Sequence, residues 1–179
     1  SGSGLIGGNG GGLKTLSVGA LNTSTTFSGS IRDVVGIAGS TVGLTKVGNG
    51  TLTLSGANTY SGETAVTAGK LVVSTLSSSV GPYTVADNVT LGVAVAAGGS
   101  LNVGSLTMGN NSTNAFLGLT STINPAISNA GSLTLNGTTA VSVQQSVILP
   151  GVYPLITAAS LDGPGGFVLG TLPGGVGGA

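Results

Sequence analysis

The chain has 179 residues, of which 35 are glycine and only 4% are charged, and it contains no histidine, cysteine or tryptophan. Its formal net charge is zero, so no long-range field attracts nucleic acid, and the absence of cysteine excludes disulfides and thiolate metal sites. A chain with so few large side chains is more typical of a solenoid than of a compact two-layer globule. Each coil of a solenoid adds only a thin layer to a narrow core.

The first segment, residues 1–12, consists almost entirely of glycine and serine. This composition is typical of a tail or linker. The first predicted strand follows from Leu13 to Gly19, with Leu16 and Val18 on one face. The β-rich body is therefore predicted to begin at residue 13.

A second strand is predicted from Thr26 to Ile31. Its Phe-Ser-Gly sequence, which begins at Phe27, returns as Tyr60-Ser61-Gly62, and the interval from Phe27 to Tyr60 suggests one repeated coil. The segment from Arg32 to Val42 would then connect the coils, with the charged residues Arg32 and Asp33 at a solvated corner.

The most regular stretch runs from Gly43 to Val73 and contains three runs with period-two alternation. The runs are Thr51 to Ser55, Tyr60 to Val66 and Leu71 to Val73. The corners between them are too short for crossover helices, and no two-residue Asn-Gly hairpin turn joins them. The chain is therefore predicted to wind as a coil.

A specific pattern of Leu, Gly, Asn and Tyr residues occupies this stretch. Its members are Leu44, Thr45, Lys46, Gly48, Gly50, Thr51, Leu52, Leu54, Gly56, Asn58, Tyr60, Gly62 and Thr64. The pattern resembles the strand repeats of autotransporter passenger domains, with weaker similarity at residues 26–31 and 151–156. The resemblance implies a right-handed parallel β-helix on the outside of a bacterium, and it implies nothing catalytic.

The core of this pattern returns further along the chain. Gly-Thr-Leu-Thr-Leu-Ser-Gly at Gly50 to Gly56 recurs as Gly-Ser-Leu-Thr-Leu-Asn-Gly at Gly131 to Gly137, and shorter copies lie at irregular intervals between them. Irregular spacing predicts coils of different lengths around a constant stack of strands. At roughly 20 to 30 residues per coil, the chain would make about six to eight coils.

Further strands are predicted by alternation downstream of the repeat. They run from Asn88 to Val95, Ala115 to Thr122, Thr139 to Leu149, Tyr153 to Thr157 and Phe167 to Leu172. Pro154 and Pro173 suit strand starts or corners because proline has no backbone donor. The predicted organisation is a linker at 1–12, an all-β right-handed parallel β-helix with irregular coils at 13–172, and a second linker at 173–179.

Catalysis on such a fold needs several carboxylates on one face, as in enzymes that cleave acidic polysaccharides. The chain has four Asp and Glu residues in all, and none lies near another in sequence. The glycines of Gly7 to Gly12 lack the Lys and Ser or Thr of a phosphate loop, and no Asp-rich calcium loop occurs. We therefore predict no catalytic, cofactor-binding or metal-binding residue. A concave face that held Asp33, Glu63 and Asp87 together would favour the enzyme.

Polar and aromatic residues have structural interpretations that compete with binding. The asparagines at predicted turns tolerate positive φ and can stack between coils, although they could also bind sugars; they are Asn49, Asn58, Asn88, Asn110, Asn111 and Asn136. The pair Thr51 and Thr53, with its loose copy at Ser132 and Thr134, falls short of an ice-binding array. The aromatic residues are predicted to fill or cap the core; they are Phe27, Tyr60, Phe116, Tyr153 and Phe167.

Together with the resemblance to passenger domains, these features predict a non-enzymatic structural or adhesive protein at a bacterial surface or outside the cell, one that associates with itself into a fibre or extended rod. The alternatives are a polysaccharide-processing β-helix enzyme and an inert stalk that spaces another domain. Copies of the chain or flanking repeats are the expected partners, with surface polysaccharide or a neighbouring cell as further candidates. The longest apolar run, Leu91 to Ala97, is too short to span a bilayer. The start lacks a signal-peptide pattern, which indicates a mature fragment.

Two structural expectations follow. One strand face should point into the core, and its members are Leu52, Leu71, Leu91, Val93, Leu133 and Val143. The ends of a solenoid expose unpaired backbone and apolar side chains unless a polar cap covers them, and the sequence shows no such cap. The strands near Leu13 and Phe167 are therefore predicted to continue into neighbouring copies or repeats.

Overall fold

A computed structural model describes residues 2–34, 39–96, 98–120, 123–145 and 149–173. Within these ranges the chain forms nineteen strands and no helix. The strands β1 to β19 are, in chain order, Leu5–Gly8, Gly12–Val18, Thr25–Phe27, Ser30–Val34, Ser40–Lys46, Thr51–Leu54, Thr64–Val66, Lys70–Ser74, Pro82–Val85, Thr90–Ala94, Leu101–Val103, Ser105–Met108, Ser112–Leu117, Ile127–Asn129, Ser132–Leu135, Thr138–Val143, Ile156–Thr157, Ser160–Asp162 and Gly166–Leu169.

The strands stack into a β-solenoid of about six turns. Sheet I contains β2, β5, β7, β9, β12, β15 and β18, and sheet II contains β3, β6, β8, β10, β13, β16 and β19. A shorter sheet III contains β11, β14 and β17, and β1 pairs with β4. Every strand pair in the described residues is parallel. The predicted coil of parallel strands is therefore confirmed.

Coil length varies along the stack, as the irregular repeats predicted. In sheet I, Leu16 lies opposite Leu44, whereas Thr64 lies opposite Tyr83, so the later of these two coils is clearly the shorter. The coil predicted from Phe27 to Tyr60 is wrong, because Phe27 lies opposite Leu54. The strand predicted from residues 26 to 31 is also divided, into β3 and β4, because Gly29 turns the chain between them under the Gly4 backbone.

The Gly/Ser-rich start contributes a strand where a tail or linker was expected. β1 pairs with β4, and Ile6 packs against the core, whereas Leu5 is exposed. Arg32 and Asp33 lie within β4 and not at a corner, which corrects that expectation. Residues 35–38 and 174–179 lie outside the described residues. The division of the chain at 12/13 and 172/173 remains a prediction.

The downstream strands are shorter than their patterns predicted. The run predicted at 153–157 pairs only as β17, from Ile156, and the run predicted at 167–172 ends as β19 at Leu169. β16 ends at Val143, and residues 121–122 and 146–148 of the predicted runs lie outside the described residues. Strand pairing stops where the corner of the coil begins, which alternation alone does not show.

The core is a set of vertical columns of inward side chains. All six residues predicted to face inward are buried: Leu52, Leu71, Leu91, Val93, Leu133 and Val143. The strand register aligns three of them in one column, since Leu52 lies opposite Leu71 and Leu71 lies opposite Leu91. Continuing upward, the same column passes through Asn114 and Val141 and reaches Leu169 in the last strand.

A column of glycines forms the corner that precedes sheet I. Its members are Gly62, Gly81, Gly104 and Gly131, linked by backbone hydrogen bonds such as Gly104 N to Gly81 O at 3.0 Å. A Cβ on Gly81 would lie 2.7 Å from the Ser61 carbonyl oxygen and closer still to that of Gly62. Successive backbones pass too close here for any side chain, which explains part of the high glycine content.

Candidate functional site

The carboxylates that could have formed a catalytic groove are used as hydrogen-bond acceptors. Glu63 accepts a 2.8 Å bond from the Thr84 hydroxyl, and Asp87 accepts a 2.8 Å bond from the Asn110 backbone N–H. Both partners belong to the next coil. Among the described residues, no group of three or more Asp or Glu side chains could hold a metal ion. The geometry therefore gives each of these acids a role in joining coils.

Asp33 joins two successive coils. Its Oδ1 accepts from the Val42 N–H at 2.8 Å, and its carboxylate accepts from the N–H and hydroxyl of Ser61 at 2.7 to 3.1 Å. Partial burial raises the pKa of the Asp33 carboxyl, but the hydrogen bonds from Val42 and Ser61 together outweigh burial and hold its pKa below the usual value. The site stabilises an ionised carboxylate, whereas a general acid needs a raised pKa.

Lys46 lies in the inward column of sheet I, between Val18 and Val66. Its side chain is buried, and its ammonium donates to the carbonyl oxygens of Val47, Gly48 and Ala68 at 2.8, 2.6 and 3.1 Å. Burial lowers the pKa of this lysine. The ammonium links the corners of two successive coils without a carboxylate, so Lys46 of the repeat pattern is a structural contact and not a surface charge.

Four of the six asparagines predicted at turns have one of two structural roles. Asn88 and Asn111 have φ angles of 60° and 54°, which confirms the expectation of positive φ at these turns. Asn58 is buried, and it accepts from the Ile31 N–H at 2.9 Å and donates to the Ser77 hydroxyl at 3.0 Å. Asn110 accepts from the Thr138 N–H at 3.1 Å. Contacts between coils therefore account for both Asn58 and Asn110.

Buried hydroxyl and amide groups occur within the core itself. The Tyr60 hydroxyl is 2.7 Å from the Thr64 hydroxyl, and burial beside the phenol of Tyr83 raises the pKa of Tyr60. Asn114 is fully buried, and both its side-chain amide atoms lack a hydrogen-bond partner. An unpaired buried amide costs free energy, so this layer of the core is less well stabilised than the apolar layers.

The outer faces of the sheets carry hydroxyl groups. Thr84, Thr107 and Thr134 lie opposite one another on consecutive strands of sheet I. The pair Thr51 and Thr53 lies in sheet II, whereas its loose copy at Ser132 and Thr134 lies in sheet I. The two pairs therefore do not form one array, and the aligned threonines of sheet I were missed because their register depends on coil length.

The last coil exposes side chains that belong to the inward columns. Leu161 continues the column through Leu133 and is 66% exposed, and Leu169 continues the column through Val141 and is 74% exposed. Phe167, predicted to fill or cap the core, is 43% exposed in the same layer. No described residue pairs with the outer edges of β18 and β19. This surface is apolar because its side chains belong to the inward columns, and no further strand of the described residues covers them.

The opposite end of the solenoid, at the first coil, also has apolar side chains that are only partly covered. Leu16 and Phe27 are half-buried and line an open cavity of about 230 Å³. Gly2 bridges to Phe27 and β1 pairs with β4, so residues 2–8 form a partial extra layer. The outer edge of β2 has no strand partner in the described part of the chain. Both ends of the solenoid therefore present unpaired strands and apolar side chains.

The fold places the chain in one class of proteins, the parallel β-solenoids. Comparison with known proteins shows which members of this class its sequence resembles. Residues 44–73 match the passenger-associated-transport-repeat family. Over 52 residues, 29% of the chain, the sequence is 56% identical to the adhesin BmaC autotransporter of Brucella suis biovar 1 (strain 1330). The chain spans about 1% of the length of that relative. No solved structure gives a significant match.

These matches agree with the resemblance stated from the sequence. The chain contains an autotransporter passenger repeat on a β-solenoid, and this combination indicates a bacterial cell-surface or extracellular location. In the described residues, no helix has the length and apolarity that a bilayer crossing requires.

Proposed function

We propose that the chain is a non-enzymatic structural or adhesive segment of a bacterial surface protein, and that its ends associate with further solenoid coils. The exposed end layer carries this proposal. Leu161, Phe167 and Leu169 belong to the core columns, so the surface that suits them best is another layer of the same architecture. The adhesin relative supports the adhesive role, since part of this chain is 56% identical to it over 52 residues.

The internal contacts support a mechanical role in place of a catalytic one. Glu63, Asp87 and Asp33 each hold a donor from a later coil. A parallel solenoid adds about 4.8 Å of length with each coil. Because such contacts join successive coils, they would share a pulling force along the stack. Further coils at either end would extend the rod, whether they come from a second copy or from flanking repeats.

Light scattering tests the association. We expect the mean mass of the wild-type chain to rise with concentration. Leu169→Lys should reduce this rise because it places a charge on the exposed end layer. Val80→Lys is the matched control, because Val80 is 63% exposed and precedes β9 away from the ends. A folded wild-type chain that stays monomeric at every concentration would contradict the proposal, as would equal effects of the two lysine variants.

A further inference from the structure

One corner of the solenoid carries a repeated tripeptide. The chain has twelve asparagines, and six of them begin the sequence Asn-x-Ser or Asn-x-Thr, in which x is not proline. All six lie between a strand of sheet I and the next strand of sheet II; they are Asn22, Asn49, Asn88, Asn110, Asn111 and Asn136. None of the other six asparagines begins such a tripeptide. The tripeptide is the acceptor sequence of asparagine-linked glycosylation.

The fold accounts for four of these six side chains. Asn22, Asn88 and Asn111 have positive φ angles, from 54° to 60°, which asparagine tolerates better than most residues do. Asn110 accepts a hydrogen bond from the Thr138 N–H of the next coil. Asparagine at these four positions is therefore explained without a modification.

Asn49 and Asn136 have no such explanation. Both are exposed, neither has a positive φ, and the side chain of neither makes a hydrogen bond within the described residues. The fold uses their backbone N–H groups, which donate to Asn22 Oδ1 at 2.8 Å and to the Met108 carbonyl oxygen at 2.9 Å, respectively. Any residue other than proline supplies those donors, so the fold leaves the choice of side chain open.

Both residues begin the same sequence, Asn-Gly-Thr, at 49–51 and 136–138. The middle glycine has a packing reason, since a Cβ on Gly50 or Gly137 would collide with the corner of the preceding coil. Neither threonine hydroxyl makes a hydrogen bond within the described residues, and Thr138 is exposed. Each corner therefore has an amide and a hydroxyl that the fold does not use, and these are the two groups that the acceptor tripeptide requires.

We propose that Asn49 and Asn136 are N-glycosylation sites of this surface protein. The reaction requires a transferase of the host bacterium and a glycosyl phosphate donor, carried on a nucleotide or on a lipid. The Asn Nδ2 bonds to C1 of the sugar while the bond between C1 and the phosphate oxygen breaks. The phosphate leaves with the bonding electron pair, and the amide gives one proton to a base of the transferase.

The fold has room for both glycans. Four coils separate the two corners, or about 19 Å at about 4.8 Å per coil, so one glycan does not block the other. A glycan is bulky and hydrated. On a chain with only 4% charged residues, glycans along one corner supply polar surface and prevent that side of the rod from packing against a neighbouring rod.

Mass spectrometry of the chain isolated from the bacterium that produces it tests this proposal. We expect the peptides that contain Asn49 and Asn136 to carry sugar on the asparagine, and the peptide that contains Asn102 to carry none. Asn102 is the matched control because it is exposed but begins Asn-Val-Gly. A single sugar at each site would identify a nucleotide-linked donor, and an oligosaccharide a lipid-linked donor.

Variants separate recognition of the tripeptide from a structural effect. Asn136→Gln and Thr138→Ala should each remove the sugar from this site, whereas Thr138→Ser should keep it because the acceptor sequence takes either hydroxyl. Loss of the sugar in Thr138→Ser as well would contradict recognition of the tripeptide. Sugar-free Asn49 and Asn136 in the native protein would overturn the proposal, as would sugar attached to serine and threonine hydroxyls alone.

Discussion

Gly81→Ala tests whether the glycine column limits the spacing of the coils. The new Cβ would lie 2.7 Å from the Ser61 carbonyl oxygen and closer to that of Gly62, where real Cβ atoms essentially never come within 3.0 Å. Both neighbours are backbone, so they cannot rotate away. The φ angle of Gly81 is not positive. The destabilisation expected for Gly81→Ala therefore comes from steric contact and not from backbone strain.

The magnitude follows from what must move. The layers have to separate locally by several tenths of an ångström or more, which stretches inter-coil bonds such as Gly104 N to Gly81 O at 3.0 Å. Overpacking of a close-packed site costs about 1–3 kcal/mol, and each weakened backbone bond adds up to about 1 kcal/mol. We expect Gly81→Ala to lower the free energy of unfolding by roughly 2–4 kcal/mol.

Urea unfolding followed by far-ultraviolet circular dichroism measures this loss. Gly11→Ala is the matched control, because no atom lies within 4 Å of its added Cβ and its φ is not positive. Its effect should stay within about 0.5 kcal/mol. A loss for Gly81→Ala no larger than that of the control would refute the argument that backbone contact fixes the layer spacing.

Two other substitutions test the core register and an inter-coil contact. Leu52→Asp should cost about 3 kcal/mol or more because it buries an unpaired carboxylate, whereas Thr53→Asp on the outer face should cost less than about 1 kcal/mol; equal losses in urea would refute the register. The lowered pKa of Asp33 means that its ionised form stabilises the fold above about pH 4, its unfolded-state value. This contribution is lost as the pH falls through the lower folded-state pKa, so the stability difference between wild type and Asp33→Asn should shrink in acid. A difference that stays constant with pH would contradict this role.

The sequence predicted the architecture because alternation and short corners are local properties. Leu52 and Leu71 each lie in a run whose period alone decides which face is inward. The passenger-type pattern added the class of protein. The inward orientation of Leu91 and Val93 was predicted by the same reasoning, which does not require knowing which strands pair.

Contacts between coils could not be predicted in the same way. Coil length differs from one pair of sheet I partners to the next, so the residue above a given side chain depends on every preceding corner. The similar Phe-Ser-Gly and Tyr-Ser-Gly segments suggested a wrong coil for this reason. Asp33 appeared to be a solvated charge because its partner Ser61 is distant in sequence. Lys46 continues the alternation of β5 inward, but the carbonyl oxygens that its ammonium contacts belong to two successive coils, which the local pattern does not show.

The buried amide of Asn114, which has no hydrogen-bond partner, bears on where the solenoid begins to unfold. A solenoid behaves as a series of layers joined by nearest-neighbour interfaces, and the partnerless amide weakens one layer, where it lies between Leu91 and Val141. We therefore expect the interface at this layer to open before the apolar interfaces do. Opening there would separate the coils that contain the passenger repeat from the coils that end in the exposed apolar layer.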